Sequence, residues 1–266
     1  MGFLVDLTLG RYYETGSAVH GLDPRVKMVG ALALLIAVLI TQNPLAYLFL
    51  TAALVAIVAG ARLRPAFLAR NLLSLKWLLL VVFVMHGFFT KGTPLVAALP
   101  MLSREGIALG GIFAWRVALM VSVATVLTAA TSPVDLGDGL EKLMKPFARI
   151  GVPVHELAMI TVIALRFVPT LLDEASRIIK AQIGRGARFE GGPIARARSS
   201  VPILIPLFAS AFRRADDLAL AMDARCYRGA VGRTKYIELK LDRADAVGFA
   251  VVAGIALCAL AISLWL

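Results

Sequence analysis

The residues best suited to chemistry are two arginines, Arg185 and Arg225, which occupy the same place in two similar six-residue motifs. The first motif covers residues 181–186 and reads AQIGRG, and the second covers residues 221–226 and reads AMDARC. Little bulk surrounds either guanidinium, whose planar fork can hold a carboxylate through two hydrogen bonds. The motifs therefore predict two anchors for acidic groups on a partner. The small residues beside the arginines are Gly184, Gly186, Ala224 and Cys226.

The same residues also fit an ordinary helix end. An arginine in the last turn of a helix interacts favourably with the helix dipole, and a following glycine takes the left-handed position. Each motif follows a long helical pattern that begins near a proline and carries an acidic pair, Asp173-Glu174 or Asp216-Asp217. Docking and simple helix termination both remain open on these residues alone.

The composition indicates a membrane protein. The 266 residues are 59% hydrophobic, with a mean hydropathy of +0.82, which is not typical of a soluble domain. We predict an all-α polytopic membrane protein with about five transmembrane helices and three cytoplasmic helices inserted before the last span. The predicted parts are a membrane part with four spans over 1–130, cytoplasmic helices over 131–243 and a final span over 244–266. The predicted spans cover 27–40 (extending to 43), 45–61, 72–90, 107–130 and 244–266.

Local signals refine this outline. Asp23 before Pro24 predicts the start of a helix, with the aspartate as its N-cap. Residues 91–105 are predicted to form a loop, and a shorter helix is expected over 134–150. Gly191-Gly192-Pro193 is predicted to separate two long amphipathic helices. Arg116 falls inside the fourth span, so we expect it to face protein rather than lipid.

The basic residues predict the orientation. Lys and Arg total 28, and nearly all fall in the N-terminal stretch, the loop between the second and third spans, and residues 131–243. The remaining segments hold only Lys91, Arg104 and Arg116. Short cytoplasmic loops are enriched in Lys and Arg, so we predict a cytoplasmic N-terminus and a cytoplasmic 131–243 segment.

An apolar stripe lies in the second long helix. Its members recur at helical spacing, which predicts contact either with a partner's membrane subunit or with another helix of this chain. The residues assigned to this stripe are Phe208, Ala211, Ala215 and Leu218.

The chain resembles the transmembrane coupling subunit, EcfT, of energy-coupling factor transporters. The two motifs resemble the Ala-Arg-Gly signatures of that family, residues 9–27 resemble its N-terminal signature, and residues 165–169 resemble the start of its second coupling helix. Gly184 and Cys226 depart from the family's Ala and Gly, respectively. Because cysteine enters the left-handed conformation less readily than glycine, we expect the turn after Arg225 to differ from the first.

The resemblance implies a function and a set of partners. It implies a non-catalytic coupling subunit of an ATP-driven importer of vitamins, in the plasma membrane of a bacterium or archaeon. One arginine motif would dock on each of two ATP-binding-cassette ATPase subunits, EcfA and EcfA′. The membrane side would hold one substrate-binding S component, and the apolar spans would contact membrane lipid. The alternative within the family is a cobalt or nickel importer.

Other functional classes fit the residues less well. No P-loop pattern is present, and Asp135, Asp138 and Gly139 are not followed by the further acids that phospholipid head-group transferases need. A one-component secondary transporter favours acidic groups in the middle of its spans, and none occurs there in the predicted spans. No cofactor, metal or nucleic-acid partner is predicted, since the histidines are far apart and the thirteen acids between Asp135 and Asp245 offset much of the basic charge there.

Overall fold

The computed structural model describes residues 16–17, 19–91, 93–96, 99–187, 192–229 and 241–265. These residues fall into two compact units. The terminal unit contains the described residues between 16 and 139 and between 241 and 265. The central unit contains those between 140 and 229.

The terminal unit is built from apolar helices, which are α1 (Pro24–Ile40), α2 (Pro44–Gly60), α3 (Pro65–Ser74), α4 (Lys76–Phe89), α5 (Arg104–Ala130) and α9 (Arg243–Trp265). A cluster of buried side chains from α1, α2, α5 and α9 forms its core, with Tyr47 fully buried and Val38 nearly so. Apolar side chains also cover much of its outer surface, as on α4, where Trp77 and Phe89 are largely exposed.

The predicted all-α membrane class is confirmed, with one short hairpin as an addition. Among the described residues, α5, α9 and the central-unit helix α7 (Val154–Gly184) are each long and apolar enough to cross a membrane. The bent pair α3–α4 meets the same test when taken as one span. The helices α1 and α2 have 17 residues each, which is at the short end of the range for a span. Helix α1 ends at Ile40 and does not continue to Asn43.

The third span is not the continuous helix that the sequence predicts. It is broken at Leu75 into α3 and α4, whose axes differ by 58°. Near the break, the hydroxyl of Ser74 donates a hydrogen bond to the carbonyl of Arg70, a side-chain contact that often bends helices. The side-chain amide of Asn71 meets Thr125 of α5 at 3.4 Å.

Two further predictions need correction. The predicted loop over 91–105 contains an antiparallel pair of strands, β1 (Pro94–Val96) and β2 (Leu99–Ser103), with Val96 opposite Leu99. The helix predicted over 134–150 is divided into α6 (Pro133–Met144) and a 3₁₀ helix (Lys145–Ile150). Pro146 explains the change, since proline has no amide hydrogen for the α-helical ladder.

Helices α4 and α5 of the terminal unit pack closely against one another. A Cβ atom added at Gly106 would lie 2.5 Å from the carbonyl oxygen of His86, and one added at Gly110 would lie 2.7 Å from that of Phe83. The two glycines are four residues apart, which is the small-residue spacing that lets membrane helices approach closely. This pattern was missed at the sequence level, although its spacing is visible there.

The first and last helices of the terminal unit are joined through one carboxylate. Asp23 caps α1 as predicted, because its side chain accepts a hydrogen bond from the amide of Arg25. The buried carboxylate of Asp245 accepts one from the amide of Asp23 at 2.7 Å and another from the amide of Asp242 at 2.8 Å. Asp245 therefore supports the N-termini of α1 and α9 together.

Two cations satisfy carbonyl groups at helix ends. The ammonium of Lys27 donates to the carbonyls of His20 and of Ala130, the last residue of α5, at 2.7 and 3.1 Å. The guanidinium of Arg116 donates to the carbonyl of Thr41, just after α1, and to the hydroxyl of Tyr47. The prediction that Arg116 faces protein is thus confirmed. Each cation lies where the negative end of a helix dipole favours it.

The central unit is organised around two long helices, α7 and α8 (Pro193–Ala224). The two helices contact one another, and α7 also contacts the preceding 3₁₀ helix. Helix α7 continues through Pro169, and α8 continues through Pro202 and Pro206. The predicted break falls between these helices. Gly191 lies outside the described residues, but Gly192 directly precedes α8.

Candidate partner-docking site

The first arginine motif forms the C-terminus of α7. The amide of Gly186 donates to the carbonyl of Ile183 at 2.9 Å, and that of Ala187 donates to the carbonyl of Gln182 at 2.9 Å. Gly186 has a φ of 87°, in the left-handed region. These are the two hydrogen bonds and the conformation of a Schellman motif. Arg185 is the residue at which the helix ends, and its side chain is exposed.

The second motif ends α8 with the same hydrogen bonds. The amide of Cys226 donates to the carbonyl of Asp223 at 2.9 Å, and that of Tyr227 donates to the carbonyl of Met222 at 3.1 Å. Cys226 has a φ of 56°, so it takes the position that Gly186 has in the first turn. The expectation that the Arg225 turn would differ is therefore wrong: the helix end imposes the left-handed conformation on cysteine.

This conformation predicts a stabilising substitution. A residue with a Cβ atom in the left-handed region is disfavoured by about 1 kcal/mol or slightly more relative to glycine. Cys226→Gly should therefore raise the free energy of unfolding by about 1 kcal/mol, seen as a higher melting temperature in detergent. Cys226→Ala keeps the Cβ atom and is the matched control. An equal gain from both variants would show that loss of the thiol, not relief of the backbone, is responsible.

Helix termination explains the backbone conformation of each motif, but it does not use either guanidinium group, and both can contact a partner. Arg185 and Arg225 are exposed, as are the small residues Gly184, Gly186, Ala224 and Cys226. Neither arginine forms an ion pair with any residue that the structure describes. A Cβ atom added at Gly184 or Gly186 would meet no atom within 4 Å, so the space beside Arg185 is open. The two turns therefore hold two exposed arginines in the same backbone conformation.

The residues of the predicted apolar stripe on α8 differ in burial. Ala211 and Leu218 are partly buried, whereas Phe208 and Ala215 are exposed, with Phe208 at 60% of its full accessible surface. Two aromatic or branched residues that the sequence interpretation did not include, Ile205 and Phe212, are also exposed. Together with Phe208 and Ala215 they follow helical spacing of three, four and three residues. These four residues form one exposed apolar stripe, here called the α8 stripe.

The contact between α7 and α8 includes a polar cluster that the sequence interpretation missed. A guanidinium nitrogen of Arg214 lies 2.9 Å from a carboxylate oxygen of Glu174. The hydroxyl of the buried Ser210 interacts with the same carboxylate. The spacing within each helix does not identify such a pair, because its members are 40 positions apart. Within the described ranges, no three His, Cys, Asp or Glu side chains come together as a metal site.

Comparison with known proteins gives a consistent result over most of the chain. The CbiQ family, described as cobalt transport protein, matches residues 15–236. The chain is 47% identical over 246 residues to a protein of Acidaminococcus fermentans named energy-coupling factor transporter transmembrane protein EcfT, covering 92% of each chain. A protein of the same name from Thermanaerovibrio acidaminovorans is 44% identical over 236 residues, covering 88% of each chain. A third, from Listeria innocua, is 40% identical over 255 residues, covering 94% of this chain and 96% of the relative.

Proposed function

Because the chain belongs to the EcfT family of energy-coupling factor transporter transmembrane proteins, we propose that it couples two ATPase subunits to a substrate-binding membrane subunit. In this role it binds neither ATP nor substrate and catalyses no reaction. The observation that carries the proposal is the pair of exposed arginines, Arg185 and Arg225, at two helix ends with the same hydrogen-bonded turn. Two matching cationic sites fit two related ATPase subunits, EcfA and EcfA′, each supplying an acidic acceptor.

The docking chemistry follows from the exposed ends. A guanidinium can form a bidentate contact with a carboxylate, and the small neighbouring residues let the partner's surface approach it. In the free chain each guanidinium is hydrated. On docking, contact with a groove on the ATPase removes that water. An acidic group in the groove must then replace the lost hydrogen bonds of the guanidinium. Movement of an ATPase subunit then displaces the helix end directly.

The decisive experiment is identification of the proteins that accompany the tagged chain from its native membrane in a mild detergent. We expect two ATPase subunits and one small membrane subunit with high substrate affinity. Recovery of the chain without any ATPase, under conditions that keep it folded, would overturn the proposal. The same experiment separates the two cargo classes. Vitamin import is the main candidate, and cobalt or nickel import is the second, because the matching family is described as cobalt transport protein.

We propose the α8 stripe as the surface that receives the substrate-binding subunit. Phe208→Glu and Ala215→Glu should each remove that subunit from the purified complex while the ATPases stay bound, because a carboxylate cannot be desolvated against an apolar partner without cost. Ala209 is exposed but lies off the stripe, so Ala209→Glu is the matched control. Ala211 and Leu218 are partly buried and are assigned to packing within the central unit. If Ala209→Glu releases the subunit equally, the stripe is not the contact.

The proposed topology has a cytoplasmic N-terminus, a cytoplasmic segment over 131–243 and an external C-terminus, as the distribution of Lys and Arg favours. Helix α7 is then a cytoplasmic helix despite its length and apolar composition. In a chain without its native cysteines, a membrane-impermeant thiol reagent added to intact cells should not label Gly191→Cys. It should label a cysteine added after Leu266. Labelling at position 191 from outside would contradict this orientation.

A further inference from the structure

The ion pair between Glu174 and Arg214 lies at a special place relative to the two docking arginines. Arg185 follows Glu174 by eleven positions, and Arg225 follows Arg214 by eleven positions. Eleven residues of α-helix rise by about 16 Å and complete about three turns. The two docking arginines are therefore at equal distances along their helices from this ion pair.

The two arms are the helix segments that lead from the ion pair to Arg185 and to Arg225. The connection between α7 and α8 constrains the directions of these arms. Eight residue steps join Arg185 to Pro193, which can span at most about 28 Å. Pro193 lies 21 positions before Arg214, or about 31 Å along α8. The N-terminal part of α8 must then lie on the same side of the ion pair as Arg185. The part of α8 that ends at Arg225 extends to the opposite side.

We propose that the Glu174–Arg214 pair is the clamp that sets the spacing between the two docking arginines, an inference that rests on the proposed function. The arms diverge from the clamp and place Arg185 and Arg225 roughly 30 Å apart. The pair joins Oε2 of Glu174 to Nη2 of Arg214 at 2.9 Å, and the buried Ser210 contacts the carboxylate from one side. Ser210 and Arg214 are one helical turn apart, so both present to α7 on one face of α8.

A fixed spacing matters because the ATPases bind as a pair. When two linked sites engage a preassembled partner, the second contact forms at a high effective concentration only if the spacing fits. If the separation of the two arms varied, the effective concentration for the second contact would fall, although each arginine could still form its own contact. The clamp contributes little to folding stability, since the side chains of Arg214 and Glu174 remain 38% and 28% exposed. Its effect should appear in geometry and in binding of the pair.

The test uses the full-length chain and the native Cys226. In a Cys258→Ser background, spin labels on Cys226 and on Ala187→Cys report the separation of the two turns by pulsed electron paramagnetic resonance. We expect one narrow distance distribution for the otherwise unchanged chain. Glu174→Ala and Arg214→Ala should each broaden it. The double variant Glu174→Arg with Arg214→Glu, which reverses the pair, should narrow it again.

Neighbouring residues supply the controls. Asp173 and Arg213 are exposed and adjacent to the paired residues, so Asp173→Ala and Arg213→Ala should leave the distribution unchanged. A distribution that stays narrow in both single variants overturns the clamp, as does broadening of equal size in the control variants. If Glu174→Ala does not fold, Glu174→Gln keeps the volume and removes the charge, and the same broadening is required of it.

Binding of the ATPase pair provides the second measurement. Loss of the clamp should weaken binding of the preassembled ATPase pair roughly tenfold, with recovery in the charge-reversed double variant. Unchanged binding in variants with a broadened distribution would overturn the link between spacing and docking. Failure of the unchanged chain to bind ATPases at all would instead reject the proposed function, and the distance measurement would still decide whether the clamp exists.

Discussion

Arg185→Ala and Arg225→Ala are each expected to weaken association with the ATPase subunits strongly while membrane insertion stays intact. Truncation of one side of a desolvated, hydrogen-bonded charge pair costs about 2–5 kcal/mol, much of it from the charge left behind on the partner. This corresponds to binding at least roughly thirtyfold weaker. The amount of ATPase that is purified with each variant is the measurement. Lys at either site should recover binding only in part, because it keeps the charge and loses the planar fork.

The controls for these variants are substitutions of arginines that lie outside the two motifs. Arg196 and Arg198 lie in α8 between the two motifs, so Arg196→Ala and Arg198→Ala remove the same charge from the same segment. They should leave ATPase association nearly unchanged. If they reduce it as much as Arg185→Ala and Arg225→Ala, the long-range field of the basic segment is responsible and the two-anchor mechanism is wrong.

The second large effect is expected in the membrane part, at the contact between α4 and α5. Gly106→Ala and Gly110→Ala each place a Cβ atom within 2.7 Å of a backbone carbonyl oxygen of α4, which no rotamer change can relieve. Forcing the helices apart should lower the free energy of unfolding by about 3 kcal/mol for either variant. The loss is measured as a lower melting temperature of the purified chain in detergent.

A third glycine in the same helix provides the matched control. Gly111 follows Gly110 directly, but a Cβ atom added there would meet nothing within 4 Å. Gly111→Ala should therefore be neutral or should stabilise the chain by up to about 1 kcal/mol through its higher helix propensity. Destabilisation of equal size at positions 110 and 111 would show that glycine flexibility, not close packing, is what α5 requires.

Features with a local cause were predictable from the sequence. The cap at Asp23 depends on the next residue being proline, and the two arginine turns depend on six consecutive residues. The inward direction of Arg116 follows from the cost of a charge in lipid, whatever its partners are. Its hydrogen bonds to Thr41 and Tyr47 were not predictable, because the three residues come from different segments.

Features that depend on distant segments were missed or incorrectly predicted. The left-handed Cys226 contradicts the local preference of cysteine because the hydrogen bonds at the end of α8 outweigh it. The break at Leu75 occurs in a stretch with no proline or glycine between Pro65 and Gly87, so periodicity predicted one continuous helix. The Glu174–Arg214 pair and the close contact at Gly106 require knowledge of which helices are neighbours.

The bridge from Asp245 to Asp23 has a consequence for the order of events during synthesis. The two residues are 222 positions apart, so α9 leaves the ribosome long after α1. The amide of Asp23 therefore has no access to this acceptor until a further 222 residues have been translated. Until then the nascent membrane part lacks the contact between α1 and α9. Chaperones and proteases act on incompletely assembled intermediates of this kind. Packing of α9 supplies the Asp245 acceptor and completes this contact. A chain truncated before residue 243 should therefore be degraded rather than accumulate.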